Sequence, residues 1–71
     1  MTNEAFKLVR LFLKMNQIEF SEYMGLAYST VAGIEAGNRS VTENVRGKIA
    51  HKFEANKDFI EFVDRNKRLN I

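Results

Sequence analysis

Gly25 separates two short helical patterns, and this arrangement constrains the fold more than any other feature of the sequence. If Gln17 is taken as the first position of the motif, apolar residues occupy the inward positions of both helices. Ser21 supplies the small side chain that is needed where the two helices touch. The inward residues are Phe20, Met24, Leu26, Val31 and Ile34. Because glycine tolerates the left-handed conformation that ends a helix, Gly25 fits the turn. These residue types predict a helix-turn-helix over Gln17 to Ala36.

Helical spacing continues on both sides of this motif. The apolar residues that recur there are Ala5, Val9, Phe12, Val45, Ile49, Phe53, Phe59, Phe62 and Val63. The chain contains no proline, 45% of its residues are hydrophobic, and strand-like alternation is absent. We therefore expect residues 1–71 to form one all-α domain, a compact five-helix bundle.

Capping signals predict where the first two helices begin. The first helix is expected to start at Thr2 or Asn3, because small polar residues favour the position before a helix. Asn16 is followed three residues later by Glu19, which predicts a capping box at the start of the second helix. That helix should end at about Met24.

The later helices have less certain boundaries in the sequence. The third is predicted over about Tyr28 to Ala36, and the fourth begins after either Thr42 or Ser40. The fifth is predicted over about residues 57–67. Because few turn residues stand near residues 55–56, the alternative that the fourth and fifth helices are nearly continuous stays open.

The run from Asn16 to Gly37 resembles the helix-turn-helix of the Cro and lambdoid phage-repressor (XRE-type) family. The resemblance extends over roughly residues 5–53 and includes Lys48-Ile49-Ala50. It implies a lambda-repressor-like DNA-binding domain whose third helix enters the major groove of operator DNA. It further implies a transcriptional regulator of a phage or prophage lysis–lysogeny switch, in the cytoplasm of the bacterial host.

The resemblance also assigns roles to individual residues. The surface of the third helix that would face bases or a partner consists of Tyr28, Ser29, Thr30, Ala32 and Gly33. The residues that would contact phosphate are Asn16, Gln17, Asn38, Arg39 and Arg46. Arg10 and Glu35 match a structural ion pair that links the first and third helices.

The third helix departs from the family pattern in its chemistry. It has no Arg, Lys, Asn or Gln, the side chains that usually form hydrogen bonds to bases. No lysine or arginine occurs between Gln17 and Ala36, whereas Glu19, Glu22 and Glu35 all do. Phosphate contacts supply most non-specific affinity for DNA, so this surface is poor for that purpose.

Two interpretations follow. In the first, the chain binds operator DNA through its third helix, with Tyr28 and Ser29 at the bases. In the second, it is an antirepressor that binds a partner repressor and blocks its DNA-binding face. The second resembles the small modulator-of-repression proteins of lactococcal temperate phages. Operator binding is the first interpretation and the antirepressor its close alternative.

The remaining candidates favour ordinary structural roles. We expect no enzyme activity, cofactor or metal site, because the chain has no cysteine, a single histidine (His51) and no nucleophile paired with a base. No apolar run is long enough for a membrane span, so no membrane partner is expected. The apolar stripe of the fifth helix, Phe59, Phe62 and Val63, should belong to the core, with a homodimer interface as the alternative.

Overall fold

Five α-helices account for most of the chain in the computed structural model, which describes residues 1–69. They are α1 (Asn3–Phe12), α2 (Gln17–Met24), α3 (Tyr28–Glu35), α4 (Glu43–Lys52) and α5 (Lys57–Arg68). Strands do not occur within these 69 residues. The expected all-α five-helix architecture is therefore confirmed, with principal extents of 30 × 24 × 21 Å. In this described part, no helix combines the length and apolar character required to cross a bilayer.

The predicted capping residues are found at the starts of the helices. The hydroxyl of Thr2 accepts a hydrogen bond from the backbone N–H of Ala5. The capping box of α2 is complete, with Asn16 and Glu19 each accepting from the other's backbone N–H. Thr42 caps α4, so this helix begins after Thr42 and not after Ser40. Each cap satisfies a backbone donor that has no partner within its helix.

The turn between α2 and α3 is built around Gly25 and Ser21. Gly25 has φ 69°, in the left-handed region that glycine adopts without a steric penalty. Ser21 is buried, its hydroxyl donates to the carbonyl of Ile18 at 2.7 Å, and its own carbonyl accepts from the N–H of Leu26 at 2.8 Å. The small side chain therefore lets the two helices meet without leaving a buried polar atom unpaired.

The core lies where α1, α2 and α3 meet. Its largest fully buried side chains are Phe6, Val9, Phe20, Val31 and Ile34. The rings of Phe6 and Phe20 meet edge to face, with centroids 5.4 Å apart. This arrangement is favourable for aromatic pairs and joins α1 to α2.

A second group of aromatic rings attaches α5 to α1. Phe12 lies within 6.1 Å, centroid to centroid, of Phe53, Phe59 and Phe62. Phe59 is buried and Val63 is partly buried, which confirms that this stripe packs against the core. Ile60, on the outer side of α5, is 60% exposed.

Helices α4 and α5 are separate, so the alternative of a nearly continuous helix is wrong. Phe53 is extended, at φ −135° and ψ 131°, which ends α4. Asn56 then caps α5, since its side-chain oxygen accepts from the N–H of Phe59 at 3.0 Å. The break lets the chain turn, so that α5 packs along α1.

Candidate functional site

The exposed residues of α2 and α3 form the candidate site, here called the α2–α3 surface. Tyr28 (52% exposed) and Ser29 lie on the first turn of α3, and Glu19 and Glu22 are exposed on α2. Thr30, Ala32 and Gly33 also belong to α3 but are only partly exposed. The structure therefore brings together the five α3 residues that the sequence analysis singled out, with Tyr28 and Ser29 the most accessible.

An ion pair fixes α3 beneath this surface. Arg10 donates from Nε to Oε2 of Glu35 at 2.6 Å and from Nη2 to Oε1 at 2.7 Å. The two side chains are only 12% and 5% exposed. Arg10 also donates to the carbonyl of Met15 at 3.0 Å, so the same guanidinium holds the segment between α1 and α2. The predicted structural pair is thus present in the fold.

The surroundings of the pair favour its charged form. Burial alone would raise the pKa of Glu35, but hydrogen bonds from Arg10 and Gln17 and the nearby positive charges outweigh it and lower that pKa. The hydrogen bond to Glu35 raises the pKa of Arg10 against the opposing effect of burial. The pair therefore acts as a structural brace rather than as a group that exchanges protons near neutral pH.

Gln17 is directed inward rather than left free for a phosphate. Its amide nitrogen donates to Glu35 at 3.2 Å, and its amide oxygen accepts from the hydroxyl of Tyr28 at 3.4 Å. One of the two N–H groups of this amide is thus committed to Glu35, and only the other could serve the expected phosphate role. The network instead connects the buried ion pair to the exposed Tyr28 ring.

A carboxylate also occupies the beginning of α2, where the resemblance places phosphate. Glu19 accepts from the N–H of Asn16 at 2.9 Å, and the side-chain oxygen of Asn16 accepts from the N–H of Glu19 at 2.8 Å. Two backbone N–H groups that could hold an anion there, those of Asn16 and Glu19, are thus already engaged. Because Glu19 is negatively charged, this helix start is unfavourable for a phosphate.

Arg39 lies across α3, which corrects the expected accessibility of Gly33. Its guanidinium donates to the hydroxyl of Thr30 at 3.2 Å. A Cβ built on Gly33 would come within 3.0–3.1 Å of its Cγ, Cδ and Nε atoms. Gly33, which was expected to face bases or a partner, is therefore covered by Arg39. Arg39 also places a guanidinium beside Thr30, although residues 17–36 contain no lysine or arginine.

The segment after α3 is held by a contact that sequence analysis missed. The side-chain amide of Asn3 donates to the carbonyls of Ile34 at 3.0 Å and Arg39 at 2.7 Å. This fixes the backbone from which the Arg39 side chain extends. Asn38 in the same segment is exposed. The remaining predicted phosphate contact, Arg46, is exposed on α4 and has Glu43 3.9 Å away.

Ile18 is a surface residue that sequence analysis did not select. It is 57% exposed and lines a shallow depression together with Tyr28, Asn16, Gln17 and Arg10. Its position in the sequence gives a usable signal, because it falls outside the inward set of α2. Ile18 and Tyr28 therefore provide exposed apolar area on either side of this depression.

Two lysines of α4 contact the opposite end of α2. Lys48 donates to the carbonyl of Gly25 at 2.9 Å, and the Lys52 ammonium lies 4.7 Å from the centroid of the Tyr23 ring. Both positions suit a cation at a helix C-terminus. They stabilise the turn and leave the acidic residues of α2 without a neutralising lysine in an ion pair among residues 1–69.

Comparison with known proteins adds no family assignment. No family model, curated protein or solved structure matches the chain. The helix-turn-helix family accordingly remains a prediction from residues 16–37. The structure itself shows a five-helix bundle in which α2 carries two exposed glutamates and α3 carries no lysine or arginine.

Proposed function

We propose that this chain is a regulator of a phage or prophage genetic switch that acts as an antirepressor. In this proposal the α2–α3 surface binds the basic DNA-binding face of a partner repressor and prevents it from holding its operator. The charge of the α2–α3 surface carries the proposal. Glu19 and Glu22 are exposed there, and neither forms an ion pair within the described residues.

Electrostatics favour a basic protein over DNA as the ligand. A DNA duplex would bring its phosphates against these carboxylates, whereas a repressor's DNA-binding face carries lysines and arginines that would pair with them. Complementary charge of this kind raises the rate of encounter and excludes wrong partners. The hydrogen bond from Gln17 to Glu35 also favours a protein ligand, because it occupies one N–H group that a phosphate could otherwise use.

The apolar residues of the surface also suit a protein partner. Ile18 and Tyr28 lie beside one depression and are both more than half exposed. Tyrosine is frequent among residues that dominate protein–protein binding energy, and an exposed isoleucine gains by losing contact with water. A phosphate backbone offers Ile18 no comparable contact.

Operator binding is the second candidate, and Arg39 is the observation that favours it. Its guanidinium lies on α3 next to Thr30, where it could donate to a base edge. In this alternative, Tyr28 and Ser29 would complete the contacts in the major groove.

The two candidates predict opposite effects of Glu22→Lys. In this proposal the partner repressor is encoded beside the gene of this chain, and that repressor bound to its operator is the probe. The antirepressor proposal predicts that the wild-type chain forms a complex with the repressor and releases the operator, and that Glu22→Lys weakens both effects at least about tenfold. Glu61→Lys, on the exposed part of α5, is the matched control and should act like the wild type.

Direct DNA binding gives a different result. A specific gel shift by the wild-type chain alone, weakened by salt and strengthened by Glu22→Lys, would support operator binding. Failure of the wild-type chain to form a complex with the repressor at micromolar concentrations would overturn the antirepressor proposal.

A further inference from the structure

Gly33 and Arg39 form a unit that places a guanidinium on the surface of α3. Arg39 passes over Gly33, where a Cβ would stand 3.0–3.1 Å from its Cγ, Cδ and Nε atoms and would require them to move. One guanidinium nitrogen is held by Thr30 at 3.2 Å, and Asn3 holds the Arg39 carbonyl at 2.7 Å. The backbone, stem and end of this side chain are thus each restrained.

The guanidinium has unused binding capacity. Thr30 accepts one of its five possible hydrogen bonds, and no carboxylate among residues 1–69 forms an ion pair with it. Because this guanidinium has no counter-charge, it can donate two hydrogen bonds to a planar acceptor. Because its side chain is already restrained, it loses less conformational freedom on binding than a free arginine side chain would.

We propose that Arg39 is the specificity-determining residue of the α2–α3 surface and that it binds a carboxylate of the partner protein. This inference rests on the proposed antirepressor function and defines the partner's charge pattern. The partner would present cations opposite Glu19 and Glu22 and one Asp or Glu opposite Arg39. Gly33 is then a positioning residue, because its lack of a side chain leaves space for the Arg39 side chain to cross α3.

A carboxylate fits this position better than DNA does. A single carboxylate can reach Arg39 without bringing further negative charge against α2. A duplex that reached Arg39 would also bring a chain of phosphates toward residues 17–36, whose charged side chains are all glutamates. The opposite charges of Arg39 and the two exposed α2 glutamates therefore favour a protein face of mixed charge.

Two glycine substitutions test the positioning role of Gly33. Gly33→Ala places a Cβ 3.0–3.1 Å from three consecutive atoms of Arg39 and should displace that side chain from its path over α3. Gly47→Ala is the matched control, because Gly47 is also helical and a Cβ there meets nothing within 4 Å. We expect neither to lower the melting temperature, and only Gly33→Ala to weaken binding to the neighbouring repressor, by about tenfold.

Two substitutions of Arg39 test the charge itself. Arg39→Met retains an apolar stem over Gly33 and removes the guanidinium, so it should weaken binding about tenfold or more without loss of helicity. Arg39→Glu should abolish binding. The Arg39→Glu variant can then be screened against repressor variants in which one Asp or Glu is replaced by Lys or Arg. The variant that restores the complex identifies the carboxylate.

Each outcome has a distinct meaning. Wild-type affinity in Arg39→Met overturns the inference and leaves the antirepressor proposal intact, provided that Glu22→Lys still weakens the complex. Loss in Arg39→Met with no loss in Gly33→Ala overturns the positioning role of Gly33. If no charge-reversed repressor restores the complex with Arg39→Glu, the carboxylate assignment is overturned. It is also overturned if the Arg39 variants lose binding to duplex DNA instead of binding to the repressor. Absence of any wild-type complex removes the proposed function itself.

Discussion

Arg10 on α1 and Glu35 at the end of α3 form a double hydrogen-bonded ion pair across 25 residues of sequence. Both side chains are largely removed from water, at 12% and 5% exposure. A buried pair of this kind adds little stability compared with apolar residues of equal volume, but an unpaired member is costly. The pair therefore fixes the position of α3 against α1.

Breaking one side of this pair should strongly destabilise the fold. We expect Arg10→Ala to lower the free energy of unfolding by about 3 kcal/mol, because it leaves the Glu35 carboxylate buried without its main partner. Urea denaturation followed by circular dichroism measures this loss. The double substitution of Arg10 and Glu35 by Met should recover most of it. A loss below about 1 kcal/mol in Arg10→Ala would contradict the bracing role.

The same pair predicts how stability changes in acid. The pKa of Glu35 in the folded chain lies below its ordinary value of 4.5, so the folded state favours the ionised form. The contribution of Glu35 is complete above the unfolded pKa and is lost as pH falls through the folded pKa. In denaturation series, the stability difference between wild type and Glu35→Gln should therefore shrink below pH 4.5. A constant difference would contradict this prediction.

Alanine should have opposite effects at two glycines. Gly25 has φ 69°, so Gly25→Ala is expected to cost about 1 kcal/mol of stability by forcing an alanine into the left-handed region. Gly47 lies inside α4 with open space around it, so Gly47→Ala should add about 0.5–1 kcal/mol. Thermal unfolding of the two variants gives the comparison, and a stabilised Gly25→Ala variant would argue against the observed turn.

The cap at α5 provides a local test of the break after α4. Asn56→Ala removes the oxygen that accepts from the N–H of Phe59 and should cost about 1 kcal/mol. Asn44→Ala, exposed within α4, is the control and should cost less, because it removes no helix cap. Amide hydrogen exchange should show faster exchange at the start of α5 in Asn56→Ala alone. Equal exchange in both variants would contradict the capping role.

Local signals account for the features that the sequence predicted well. The Asn16–Glu19 capping box, the Thr42 cap and the Gly25 turn each depend on residues within four positions of one another. Asn56 is a signal of the same kind that was not recognised as a cap, because few other turn residues stand near residues 55–56. The fold class followed from apolar spacing, since a helical period determines which residues can share a buried side.

The sequence by itself thus determined the five helices, their principal caps and the two carboxylates exposed on α2. Only the tertiary structure decided that Arg39 crosses α3 and that Gln17 turns inward to Glu35. Each of these side chains has several rotamers of similar energy in an isolated chain. The choice among them depends on partners brought close by packing: the bare backbone at Gly33, the hydroxyl of Thr30 and the buried ion pair. Contacts between elements, which no local pattern encodes, therefore set the chemistry of the α2–α3 surface.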